Sequence, residues 1–263
     1  MPVRRRRTAP PVLATIALVG LVAAACGPTA PALTDPAEIL RAGAASLGEM
    51  KTLQVRGLID GELALDLGDA GGGMPLPLDG TTLDADVDLG SGAFAVEMIA
   101  PALLNLRVNV IVIDGHAYLR APIITGDRWV RQPAEGGLGG EPSAALEGLA
   151  AFLARPELTP ERLPEVRCAG RDCYSVRLTV PAEQIRDALG ALGSAIPGLS
   201  GDEVGDVSVT VGVRKDDHRL ATLGLEVPTG GATPLTIDLE LRRVNELLVI
   251  EAPPAEMVTE SPG

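Results

Sequence analysis

Aromatic residues are scarce in this 263-residue chain: Phe94, Phe152, Tyr118, Tyr174 and Trp129 are all there are. The core must therefore be built from Leu, Val, Ile and Ala, and stacking platforms for bases or sugar rings are not on offer. Lysine is nearly missing too, with Lys51 and Lys215 alone among the basic residues that are otherwise arginine. Of the two histidines, His116 follows Asp114-Gly115 and His218 follows Asp216-Asp217, so each reads as an exposed turn residue, its neighbouring carboxylates taken up by the turn. Cys168 and Cys173 have no second pair to complete tetrahedral metal coordination. Asp84, Asp86 and Asp88 alternate along a strand and point at solvent without the loop geometry that calcium needs. Neither a G-x-S-x-G elbow nor a P-loop nor a dinucleotide fingerprint occurs, and Gly136-Gly137-Leu138-Gly139-Gly140 is too irregular for a phosphate cradle. The expectation is a chain with no enzymatic activity and no cofactor.

What is present begins at the N-terminus. Arg4 to Arg7 form a positive region, and Val12 to Ala25 form an apolar run too short to cross a bilayer core of roughly 30 Å. The run ends in Ala23-Ala24-Ala25-Cys26-Gly27, which resembles the lipobox of bacterial lipoproteins, where the cysteine thiol is acylated before cleavage makes it the new N-terminus. Ala23 stands where that motif prefers Leu, so plain cleavage at an Ala-x-Ala-like site is the competing reading. Both predict export. The expected organisation is a signal peptide over 1–25, a tether over 26–34, one domain over 35–254 and a flexible tail over 255–263.

The formal net charge is −13, and the signal holds four arginines and no acidic residue, so the rest carries −13 − 4 = −17. Such an acidic body argues against nucleic acid as a partner and against electrostatic attraction to anionic headgroups, leaving membrane residence to an acyl anchor. In an exported protein Cys168 and Cys173 are free to oxidise and read as a disulfide.

Asp35-Pro36 with Glu38 opens a helix carrying Ile39, Leu40, Ala44 and Leu47 at helical spacing. From Leu53 the period becomes two: Leu53, Val55, Gly57, Ile59, Gly61, Leu63, Leu65 and Leu67 share one face of a long strand. Further strands follow over 83–89, 93–99 and 106–113, then, after the Asp114-Gly115 hairpin signal, at His116 and Tyr118 and in the Trp129 segment; 166–180 reads as a hairpin around Ala169-Gly170-Arg171-Asp172, and alternation resumes over 207–213, 223–227 and 235–241, with a last short strand over 247–250. Helices are expected over about 142–154, with Leu146, Leu149 and Leu153 in a stripe, and from Pro181 to Ile196, with Ile185, Leu189 and Leu192. The pattern predicts an α+β fold: one curved antiparallel half-barrel of about ten strands with about three helices on its concave face.

In order and spacing, Leu53 to Leu67, the Val112-Ile113-Asp114-Gly115-His116-Ala117-Tyr118 segment with Asp127-Arg128-Trp129, and Asp217-His218-Arg219-Leu220 resemble the actinobacterial LppX/LprAFG lipoproteins across nearly all of the mature chain. The resemblance implies a half-barrel like that of the periplasmic lipoprotein carriers, enclosing a cavity for acyl chains of an envelope lipid or lipoglycan, without catalysis, on the extracytoplasmic face of the cell membrane. A membrane transporter as transfer partner is left open. The Cys168/Cys173 pair and the Gly68 to Pro77 loop depart from the family pattern. The expected lining is Leu63, Leu65, Val108, Val110, Leu146, Leu149, Leu153, Ile185 and Leu189. The rival expectation is an envelope sensor or scaffold of the same fold with a filled core, acting through a protein partner.

Overall fold

A computed structural model describes residues 30–65, 74–134, 141–184, 205–229 and 233–260. Cys26, Ile185 and Leu189 lie outside the described residues. Two longer helices appear, α1 (Pro36–Leu47) and α3 (Pro142–Leu153), with the single turn α2 (Pro122–Thr125) between them. The strands are β1 (Thr52–Asp60), β2 (Glu62–Leu65), β3 (Met74–Pro77), β4 (Thr81–Asp88), β5 (Ala93–Ala100), β6 (Leu106–Ile113), β7 (His116–Arg120), β8 (Trp129–Pro133), β9 (Glu161–Cys168), β10 (Arg171–Val180), β11 (Val207–Arg214), β12 (Leu220–Val227), β13 (Leu235–Arg242) and β14 (Val258–Glu260).

Twelve of these form one curved, unclosed sheet in the order β14-β8-β7-β6-β5-β4-β1-β13-β12-β11-β10-β9. The sheet is larger than the expected ten strands. It is antiparallel except for β14, which pairs parallel with β8 through Val258 and Trp129. Residues 258–260, within the segment expected as a flexible tail, thus form an edge strand, and Arg128 helps to hold it by donating to the Glu256 and Val258 carbonyls. Residues 247–250, expected as a strand, pair with nothing in the sheet; Leu247 and Val249 are instead exposed.

The long strand expected from Leu53 to Leu67 breaks at Gly61. Gly61 has φ +103°, and a Cβ there would lie 2.1 Å from the Pro234 carbonyl oxygen. No L-side chain fits that approach, so β2 leaves the main sheet and pairs with β3 alone.

Pairing registers sort the side chains into two faces. One continuous row runs Val176, Val211, Leu223, Leu239, Gly57, Leu83, Met98 and Val108 from β10 to β6. The next row inward runs Leu241, Val55, Ala85, Val96, Val110, Leu119 and Val130. This apolar face carries the helices, whereas its reverse carries Arg56, Asp84, Asp86, Asp238 and Glu240.

α1 forms because Asp35 caps it, accepting from the Ala37 N–H at 3.0 Å, and Pro36 fits the first turn. Its apolar stripe packs on β10, β11 and β12. Gly43 permits the contact, since a Cβ there would come within 2.8 Å of Val213 Cγ2. Buried Ser46 locks the register: its hydroxyl donates to the Gly43 carbonyl and accepts from the Leu220 N–H at 3.0 Å. α3 lies against α1. Residues 30–34, expected to be a tether, are pinned to the body: the Ala30 N–H donates to the Asp216 carbonyl, the Leu33 N–H to the Tyr174 hydroxyl, and Arg162 to the Leu33 and Thr34 carbonyls.

Candidate functional site

Burial changes sharply across the helix-bearing face. Under α1, Val176, Val211 and Val213 are fully buried. Toward the other edge, Phe94, Val96, Met98, Val108, Val110, Leu119 and Val130 point to the same side and are only half-buried. The helices fill one half of the sheet, and the other half keeps an aliphatic surface in reserve. Val112 and Ala117 are buried within it.

A cleft of about 470 Å³ opens where the C-terminal end of α1, the start of β1, the β4–β5 turn and α3 meet; Leu47, Met50, Leu89, Leu146 and Ala150 give it apolar walls. Its volume falls in the roughly 300–1,000 Å³ range of small-molecule sites. Lys51, Asp88 and Glu147 stand at its polar edge. Asp88 is held below the ordinary carboxylate range, chiefly by the Ser91 hydroxyl, with the Gly90 and Ser91 N–H groups assisting and slight burial opposing. It therefore stays ionised, and it fixes the turn that frames the opening.

A larger groove of about 640 Å³ lies on the reverse face, over β4, β1, β13, β12 and β11. Its floor is Thr210, Thr222 and Gly224, and its walls include Arg56, Asp84, Asp238 and Glu240. Charged walls in open water cannot shelter hydrocarbon, so size does not make this groove the apolar site. A third hollow of about 290 Å³, also on the reverse face, holds Asn109, Ile111 and Trp129, whose ring is covered by the Arg120 guanidinium at 4.9 Å.

The expected lining divides accordingly. Val108 and Val110 lie on the half-buried part of the helix-bearing face, and Leu146 lines the cleft. Leu149 is half-buried against the core, and Leu153, 1% exposed, is sealed inside it. Leu63 and Leu65 belong to the separate β2–β3 ladder and share no row with Val108 or Val110. Periodicity missed Met50 and Leu89 at the cleft and Val96, Met98, Leu119 and Val130 beside the two valines. The alternation of 93–99 carried that signal, but only strand order makes it adjacent to β6.

Cys168 and Cys173 form a disulfide across the β9–β10 turn, and both are buried beside Ala221. Among the described residues no three His, Cys, Asp or Glu side chains gather as a metal site, and no helix is long and apolar enough to cross a membrane. His116 contacts the Asp114 carbonyl through Nδ1 at 2.9 Å, and His218 lies in the β11–β12 turn with φ +57°.

No protein-family model and no curated protein matches the chain. Solved structures do. LprF from Mycobacterium bovis aligns with a TM-score of 0.56 at 17% identity, over 86% of this chain and 99% of that one. Lipoprotein LppX from Mycobacterium tuberculosis aligns with a TM-score of 0.52 at 15% identity, over 82% of this chain and 98% of that one. The chain thus shares its fold with the mycobacterial lipoproteins LprF and LppX, of the LppX/LprAFG group.

Proposed function

We propose that this protein is an envelope lipoprotein, anchored through Cys26 on the extracytoplasmic face of the membrane, that binds acyl chains of a lipid or lipoglycan against the helix-bearing face and carries them through the envelope. The observation behind this reading is the half-buried aliphatic surface of β5 to β8, continuous in register with the filled core under α1 and α3. Burying each methylene there contributes roughly 0.8 kcal/mol, so two or three long chains bind tightly without a polar recognition motif. The fold shared with LprF and LppX supports the reading. No step of such binding requires catalysis.

The experiment is titration of a fluorescent long-chain fatty acid into the full chain and into Val110→Asp. A carboxylate beside Val96 and Leu119 places charge against the bound hydrocarbon, and affinity is expected to fall by about tenfold or more, while circular dichroism stays unchanged because Val110 is only half-buried. Equal affinity in both proteins would move the site elsewhere.

A further inference from the structure

The segment that joins β13 to β14 crosses the sheet and is fastened at both ends. At the β13 end the chain turns through Arg243 and Asn245, at φ +45° and +61°. The Asn245 side chain bridges the start of β1: Oδ1 accepts from the Lys51 N–H at 2.7 Å, and Nδ2 donates to the Glu49 carbonyl at 3.1 Å. The Asn245 N–H also donates to the Thr52 carbonyl at 2.8 Å. At the other end Arg128 donates to the Glu256 carbonyl at 3.2 Å, and β14 pairs with β8. Between these fastenings, among the described residues, 248–253 make no hydrogen bond to the body. Pro253 and Pro254 have no N–H to give.

The sheet dictates the course of this segment. Six strand spacings separate β13 from β8, and Leu53, Val87, Phe94, Val112, Ala117 and Gln132 stand in one row across the strands between them. Asn245 is bonded beside that row, at Thr52, whereas Glu256 is held by Arg128, just before the opposite end of β8. At about 4.8 Å per spacing and about 3.3 Å of rise per residue, the direct line between them is about 33 Å. The chain from Asn245 to Glu256 reaches about 40 Å at most. Over the convex side of a curved sheet the path is longer than that line, and across the concave side it is shorter, so the segment spans the concave mouth. Val244 accordingly packs against the core under α1, and neither hollow of the reverse face takes a wall from 243–257. Alternate side chains turn inward: Leu248 and Ile250 are half-buried, whereas Leu247 and Val249 are 85% and 71% exposed. Without backbone hydrogen bonds the inward pair rests on apolar contact alone, which an acyl chain can replace like for like. We propose that residues 246–255 form a strap across the mouth of the half-barrel, beneath which acyl chains enter and over which Leu248 and Ile250 close. The inference rests on the reading of the helix-bearing face as the acyl site.

Two measurements on the full-length chain test the strap, with a fluorescent and a diazirine-bearing long-chain fatty acid as probes. Release of the fluorescent probe into excess unlabelled vesicles is followed in the parent, in Leu248→Asn/Ile250→Asn and in Leu247→Asn/Val249→Asn. The inward pair is expected to release it about tenfold faster, since two aliphatic contacts with the bound chain are lost, and the outward pair at the parent's rate. Photolysis of the bound diazirine probe needs no variant to fold. In the parent it should place label between residues 246 and 255, located by fragmentation of the peptide that follows Arg243. Label found only outside that segment, or release rates that are the same in both pairs, would overturn the strap and leave the acyl site standing. A parent that binds neither probe would overturn the acyl reading and the strap with it.

Discussion

Single residues set where this fold bends and how it answers to pH. Gly61→Ala forces a Cβ against the Pro234 carbonyl at a φ that alanine avoids, and is expected to lower unfolding free energy by about 2 kcal/mol or more in urea titration. Retained stability would mean that β2 leaves the sheet for another reason. In the β11–β12 turn, burial acts to raise the Asp217 carboxyl, but the Arg214 guanidinium, the Arg219 N–H and their charges outweigh it, and the net shift is downward. A carboxylate whose folded pKa is depressed contributes stability that is complete above its unfolded value of about 3.9 and is lost as pH falls through the folded value. Asp217→Asn should therefore be less stable than the parent at neutral pH, and the gap should close in acid; a gap that stays constant with pH would show that the ion pairs contribute nothing. Residue types alone foretold the turn at 216–218, because aspartates between two alternating runs have few other places. They did not reveal the Gly61 break, because the carbonyl that excludes a side chain comes from residue 234.

The disulfide belongs to the scale of elements. It closes the β9–β10 hairpin over a short loop, so its loss is expected to cost about 2 kcal/mol, the low end of the usual range, in thermal or urea unfolding of Cys168→Ala/Cys173→Ala. Because both sulfurs are buried beside Ala221, part of that cost is packing, and reduction without substitution should cost less than the double variant. Strand existence was legible here because period-two alternation fixes which face each residue takes; 83, 85 and 87 against 84, 86 and 88 is read the same way in sequence and structure. Strand neighbours were not legible. That β13 rather than a sequence-adjacent strand lies beside β1, and that 258–260 adds in parallel to β8, depend on pairings across as many as 242 − 54 = 188 residues, to which alternation is blind. The same blindness put Leu63 and Leu65 in one expected lining with Val108 and Val110, whereas they lie in another sheet.

At the scale of the whole molecule, the helices cover β10 to β12 and leave the opposite half of the same apolar face half-buried, next to a cleft with aliphatic walls. The account turns on that unequal filling. A sensor or scaffold with a filled core has no need of it, whereas a carrier does. If Cys26 holds the protein at the membrane, Cys26→Ala should move it from the membrane fraction to the medium, as read by fractionation; persistent membrane association would contradict the anchor. The most direct measurement of the central claim is native mass spectrometry of the protein purified from its own membranes, followed by extraction of whatever it holds. The account predicts discrete added masses that resolve into acyl-chain lipids and that diminish in Val110→Asp. A protein that is isolated without lipid, and whose mass is unchanged after incubation with long-chain lipids, would contradict it.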